Sequence, residues 1–481
     1  MAAGAGSGQG DRVVIGVDSS TQWTKALAVD VETGRVLGEG RAAHTVSTGA
    51  GRESRPEQWW DALAEALAQT GYADSAAAVS IGGQQHGLVA LDADGRSVHP
   101  ALLWNDVRSA QNAEALVEQL GAQAWADRVG SVPGASFTVT KWDWLRQHEP
   151  AAAERARQVM LPHDYLTWRL SGEHVTDRGD VSGTGWWGPD GYDKELLTLV
   201  GLDESYLPRV AEPGSVAGHV PAGLPLREGT LVATGTGDNM AAALGLGLEP
   251  GVPVISLGTS GTAYAVTRGR PTDPTGTVAG FADALGNWLP LACTLNCTLA
   301  VDRVAQWLGL DREAVEPGGE VVVLPYLDGE RTPNLPYASG LFYGLRQDTT
   351  PGQILRAAYE GAAASLLTAV DEVLRSGGAG QPEADSPLIL IGGGAKGEAW
   401  RNTVRRLSGR PVLVPRLEEI VAVGAAAQAA ALVTGEAADE VARRWKTREG
   451  TLYDPLTADR TALARIASVR ARAEALVATE G

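Results

Sequence analysis

The chain has 481 residues, a length that suits two or three domains rather than one compact core. Hydrophobic residues make up 44% and charged residues 20%, while 60 glycines and 25 prolines fall below the share typical of low-complexity chains, so disorder and collagen-like structure are excluded. With 40 basic and 58 acidic residues the net charge is −18, a field that repels nucleic acid and anionic membrane surfaces and allows an anionic metabolite only where a metal ion and aimed backbone N–H groups receive it.

Residues 1–11 read as a flexible tail, without the basic start and apolar core of a signal peptide. From residue 12 the chain gives Val13-Val-Ile-Gly-Val-Asp18, a turn Ser19-Ser-Thr21, a second strand from Lys25, and after Gly34 a third run ending at Gly38. Helices are expected over residues 56–68, 143–157 and 351–374, the last with Ile354, Ala358, Ala362, Leu366 and Val370 on one stripe. The opening pattern recurs at Val252-Pro-Val-Ile-Ser-Leu257, the turn Gly258-Thr-Ser-Gly261 and a strand from Thr262, with Phe281 and Trp288-Leu-Pro-Leu-Ala292 as further strand candidates. A unit used twice suggests two α/β domains of like construction, joined in the glycine-rich and proline-rich stretch 245–253. Cys293 and Cys297 are too few to staple a secreted chain; with no His or Cys nearby to complete a metal set, both read as small buried hydrophobes in a reducing compartment. Residues 421–433 form the longest apolar stretch, broken by Gly424 and Gln428 and too short to span a bilayer. A cytoplasmic location is expected, and residues 437–481 read as charged helices.

The common nucleotide-binding patterns are missing: no P-loop, no protein-kinase H-R-D or D-F-G, and no G-x-G-x-x-G after the first strand. Asp18, at a strand end with hydroxyls beyond it, could hold Mg²⁺ near phosphate oxygens, or could be ordinary turn chemistry. The matching turn at Gly258 favours the first reading. Thr234-Gly-Thr-Gly-Asp238-Asn239 opens an alanine-rich helix, where Asp238 suits both an N-cap and a base that accepts a hydroxyl proton. Gly82-Gly-Gln-Gln85-His86-Gly and Leu103-Trp104-Asn105-Asp106-Val-Arg108 offer the paired donors, acceptors and aromatic face that a polyhydroxylated ligand needs, although His86 and Trp104 taken singly read as structural residues. Leu390-Ile-Gly392-Gly-Gly394-Ala395 ends a strand in glycines against which a flat base could lie.

Together these runs resemble the FGGY family of carbohydrate kinases, of the actin-like ATPase superfamily, over residues 13–444. Ser136-Phe-Thr-Val-Thr-Lys141-Trp-Asp-Trp is similar to the family's first signature, and Gly340-Leu-Phe-Tyr-Gly-Leu345 followed by Gln353-Ile-Leu-Arg-Ala-Ala-Tyr-Glu360 to its second. Leu103-Trp-Asn-Asp106, Leu161-Pro-His-Asp-Tyr-Leu166, Gly237-Asp-Asn239, Gln84-Gln-His-Gly87 and Leu324-Pro-Tyr-Leu-Asp-Gly-Glu-Arg-Thr-Pro333 are similar to the family's xylulokinase branch. The resemblance implies two actin-like, ribonuclease H-like domains around a central cleft: residues 12–247 for sugar and catalytic aspartate, and 252–481 for ATP, hinged near residues 245–251 and closing on sugar. It implies ATP-dependent phosphorylation of D-xylulose at O5. Asp238 would be the general base; Gln85, His86, Trp104, Asn105, Asp106 and Asn239 would contact sugar; Asp18 would organise Mg²⁺. Thr21, Gly258 and Thr259 would meet phosphates, and Gly394 with Ala395 would line the adenine pocket. Ser20 and Trp23 stand where the family usually has glycine, and Gln85 where methionine is common. Expected partners are D-xylulose and ATP, with a homodimer left open and neither nucleic acid nor membrane. The rival readings are another activity of the family, on ribulose, glycerol, gluconate or fuculose, and a non-catalytic actin-like ATP-binding protein.

Overall fold

The computed structural model describes residues 12–47, 51–335, 337–379 and 386–477; the tail expected at residues 1–11 lies outside them. Val13–Ser19 is apolar on both faces and almost wholly buried, as a central strand covered on both sides must be. It pairs antiparallel with Trp23–Asp30, which pairs antiparallel with Val36–Ala43, and on its other edge runs parallel to Ala78–Gly83. Leu231–Ala233 and Thr236–Gly237 extend the sheet in parallel, and Val216–His219 closes it antiparallel.

The second sheet repeats that plan. Pro253–Leu257 pairs antiparallel with Gly261–Ala265, that strand antiparallel with Trp288–Thr294, and on the other side Leu388–Ile391 and Val412–Pro415 follow in parallel. Gly450–Tyr453 closes this sheet antiparallel, a strand in a region expected to be only helical. The helix Pro351–Ser376 covers the sheet; Thr350 and Gln353 form a capping box around Pro351. The helix expected over residues 143–157 is two helices, Thr138–His148 and Pro150–Arg155, because Pro150 has no N–H to continue the first and is suited to open the second.

The chain divides into two compact units. The first holds Met1–Leu248, Ala282–Gly286 and Glu419–Arg448; the second holds Glu249–Phe281, Asn287–Glu418 and Glu449–Gly481. The crossing at Leu248 falls in the expected joint, whereas residues 252–481 do not form one continuous half. The reason lies in the apolar stretch noted above. Ile420–Thr434 is a buried helix that lies on the first sheet and against the helix Asp238–Gly245. Its approach is too close for side chains: a Cβ on Gly16 would stand 1.9 Å from the Ala422 carbonyl oxygen, and one on Gly424 would stand 1.8 Å from that of Ala241. Gln428, the polar break in this helix, is buried; its Oε1 accepts from the Ser80 hydroxyl at 2.6 Å and its Nε2 donates to the Gly235 carbonyl at 3.2 Å. It therefore ties the turn that precedes Asp238 to the middle of the sheet. Among the described residues no single helix is long and apolar enough to cross a membrane.

Candidate active site

In the first unit the strand ends converge on one polar cluster. Asp18 ends the first strand, Gln84 to His86 follow the parallel strand beside it, and Asp238 begins the helix after Thr236–Gly237. This is where an α/β sheet offers exposed strand ends and helix starts to a ligand. Asp238 is not the cap of its helix: Gly237 holds that position, and no side chain makes the capping hydrogen bond. The Asp238 Oδ1 accepts instead from the backbone N–H and the Nδ2 of Asn239, at 2.7 and 2.8 Å. Burial, and then the charges of Asp18 and Asp180, push the Asp238 carboxyl up to about 7, while the bonds from Asn239 work the other way. A carboxyl in that range suits a proton acceptor near neutrality.

Asn239 also donates from Nδ2 to Gln85 Oε1 at 2.6 Å. That leaves Gln85 Nε2, and both amide atoms of Gln84, buried without hydrogen-bond partners among the described residues, as groups awaiting a polar ligand or water are. Gln85 thus does more than fill space, and its stem lies where a Cβ on Gly237 would stand 2.7 Å away. His86 is a non-glycine residue at φ 63°, stacked at 5.6 Å on Phe137 of the first signature. Gly183 makes room for the imidazole, since a Cβ there would come within 2.0 Å of the ring.

Trp104 is 39% exposed and donates from its indole N–H to the Thr21 hydroxyl at 3.1 Å, joining an expected sugar residue to an expected phosphate residue. Asn105 is half-buried and its Oδ1 has no partner among the described residues. Asp106 differs: it is 2% exposed and both oxygens are taken, by the Arg52 and Arg108 backbone N–H groups and by the Arg108 guanidinium, which hold its carboxyl below the usual range although burial opposes them. In this conformation it supports the Trp104 loop from behind. Lys141, buried beneath, donates to the Ala135 carbonyl, and burial pushes its ammonium down to about 7.

Burial lifts the Asp18 carboxyl to about 7, with Lys25 opposing and Glu419 adding to the shift, and Asp18 Oδ1 is buried without a hydrogen-bond partner among the described residues. That orphaned oxygen fits a cation, and no group of three or more His, Cys, Asp or Glu among the described residues offers a fuller cage, so Mg²⁺ would be held by Asp18 together with phosphate oxygens. The bulk of Trp23 does not fill the turn. Ser20 closes the turn through its N–H and hydroxyl to the Trp23 carbonyl, and the indole is 37% exposed with the Arg41 guanidinium 3.8 Å from the ring centroid.

In the second unit Gly258 and Thr259 form a turn seated on the start of the helix Thr298–Leu308, whose first N–H and hydroxyl both bond the Gly258 carbonyl. Gly392 to Lys396 form the glycine turn, with Gly392 at φ 84°. Gly394 and Ala395 are buried, and a Cβ on Gly394 would press on Leu257 at 2.7 Å, whereas Gly393 faces open space. The open side of the turn is thus the side of Gly393, the middle glycine of the run read from the sequence. Cys297 is fully buried with its thiol pushed up to about 12 by burial, but Cys293 is only half-buried. Glu330, which stands in the Leu324–Pro333 motif without an assigned role, accepts from the Leu295 N–H at 2.6 Å and from Asn296, pinning its loop to the end of the Trp288–Thr294 strand.

Sequence and structure comparisons place the chain among known proteins. Residues 13–245 match the N-terminal domain of the FGGY family of carbohydrate kinases, and residues 254–433 match its C-terminal domain. The chain is 66% identical over 471 residues to the xylulose kinase of Streptomyces coelicolor, covering 97% of both chains. It is 33% identical to that of Escherichia coli, covering 82% of this chain and 85% of the relative. The crystal structure of the xylulose kinase from Bifidobacterium adolescentis superposes with a TM-score of 0.84 at 36% identity, over 96% of this chain and 99% of the other. The chain belongs to the FGGY family of carbohydrate kinases.

Proposed function

We propose that this carbohydrate kinase transfers the γ-phosphoryl group of ATP to the 5-hydroxyl of D-xylulose, giving D-xylulose 5-phosphate and ADP in the catabolism of D-xylose. The observation that carries the mechanism is the buried Asp238 carboxyl, lifted to about 7 and joined through Asn239 to Gln85. Asp238 accepts the proton of O5 as that oxygen attacks phosphorus in line. Gln85 Nε2, His86, Asn105 and Asn239 supply donors and acceptors to the sugar hydroxyls, with Trp104 against its C–H surface and Asp106 holding the Trp104 loop. Thr21, Gly258 and Thr259 receive phosphate oxygens, and the glycine turn with Gly394 and Ala395 receives the adenine. Mg²⁺ held through Asp18 would supply positive charge to the phosphate oxygens. The high identity to xylulose kinases supports the choice of sugar over other substrates of the family.

The test is Mg²⁺-dependent ADP release with D-xylulose, D-ribulose, L-ribulose, glycerol or no sugar. A kcat/KM at least about tenfold higher for D-xylulose is expected. Preference for another acceptor would replace the sugar assignment, and no sugar-stimulated turnover by folded, ATP-binding protein would favour a binding protein.

A further inference from the structure

A buried ionic cluster lies behind the proposed sugar site and takes no direct part in the chemistry above. His163, with no exposed surface, sits between aspartates: its Nδ1 is 3.0 Å from Asp180 Oδ2, and its Nε2 is 3.1 Å from Asp164 Oδ1 and 3.5 Å from Asp177 Oδ1. We infer that His163 is a positioning residue for D-xylulose phosphorylation, a buried hub that fixes the His86 loop through Asp180 and the turn leading to Asp238 through Asp177.

Each branch is a chain of named contacts. Asp180 Oδ1 lies 3.7 Å from His86 Nδ1, and the His86 backbone N–H also stabilises that carboxylate. His86 is held at a positive φ that few side chains adopt, so it depends on such neighbours to stay there. On the other branch Asp177 Oδ1 accepts from the Asp180 N–H, while its Oδ2 accepts from the Gly179 N–H and, at 2.6 Å, from the hydroxyl of Thr236, two residues before Asp238. The packing leaves no slack: a Cβ on Gly83 would stand 2.8 Å from His163 Cβ, and one on Gly235 would stand 2.9 Å from its ring. Burial opposes charge on His163, but Asp164, Asp180 and Asp177 outweigh it and push the imidazole up to about 9, while burial also lifts the Asp164 carboxyl to about 7 and raises that of Asp180, so the cluster shares its protons as one group.

The inference rests on the proposed function, and its test separates the two. Kinetics with D-xylulose and ATP varied in turn are measured for wild type, His163→Gln, His163→Lys and Thr236→Val, with thermal unfolding of each. His163→Gln is expected to lower kcat and raise the KM for D-xylulose, each about tenfold, with the KM for ATP unchanged, since a small displacement of positioned groups is enough for such losses. His163→Lys, which restores a cation, recovers part of the loss. Thr236→Val loosens only the Asp238 branch and lowers kcat with little change in the KM for D-xylulose. A folded His163→Gln enzyme with wild-type constants, or one whose KM for ATP rises in parallel, overturns the inference. Should His163→Gln not fold, an unchanged kcat in Thr236→Val overturns it. Absence of D-xylulose turnover by wild type would instead sink the proposed function, and the inference with it.

Discussion

The two units carry the same sheet plan and use it in opposite ways. In the first, the strand ends bear Asp18 and Asp238, two carboxyls that burial lifts to about 7, backed by the cluster around His163. In the second, the corresponding turns carry glycine and hydroxyl groups, Gly258, Thr259 and Gly392 to Gly394, with backbone rather than charge presented at the surface. On the proposed function, one scaffold would carry the base and the metal-holding carboxylate in the first unit and an uncharged phosphate cradle in the second, in a chain of net charge −18.

The contrast can be broken from either side. Removing charge from the first unit should be the more severe: Asp18→Asn, or chelation of Mg²⁺ with EDTA, is expected to lower kcat by about a hundredfold or more in coupled ADP release. Next comes packing. Gly424→Ala would drive a Cβ into the Ala241 carbonyl and is expected to destabilise the first unit by more than about 3 kcal/mol in urea unfolding. Gln428→Leu leaves the Ser80 hydroxyl and the Gly235 carbonyl without their partner, at a cost of about 1–3 kcal/mol by the same measurement.

The titration of Asp238 sharpens the contrast further. Its carboxyl is raised in the folded protein, so the ionised base is present above about pH 7 and is lost below it, and kcat/KM should fall about fiftyfold between pH 7 and pH 5. The smallest effect belongs to the second unit. Thr259→Ala removes one neutral hydroxyl and is expected to raise the KM for ATP about fivefold, leaving the KM for D-xylulose unchanged.

Much of this arrangement is legible before folding, because the signals are local. Strand–turn–strand runs ending in Asp18 and Gly258, and the Gly237-Asp-Asn239 helix start, keep their meaning in the structure. What was not legible depends on contacts between distant positions. Nothing near residue 420 says that an apolar helix leaves the second half to pack on Gly16 and Gly245; only its run of small residues hints at a close approach. His163 and Asp164 stood in a recognised motif, but Asp177 and Asp180 meet them only through the fold. Asp106 is expected from the resemblance to contact sugar, and sequence does not tell that Arg108, two positions on, bonds both its oxygens. Trp23 stands where the family usually has glycine, and the Arg41 that receives its ring lies on the neighbouring strand, out of reach of a local reading.

The central claim is that Asp238 is the base of the phosphoryl transfer and not only a first-turn residue of its helix. Its direct test is D-xylulose-dependent ADP release by Asp238→Asn at pH 8, with thermal unfolding alongside. The account predicts a loss in kcat of about a thousandfold with the fold retained, and stability at or above wild type, because the raised carboxyl of the native protein must be ionised at that pH and the amide need not be. Turnover within a few-fold of wild type would contradict it.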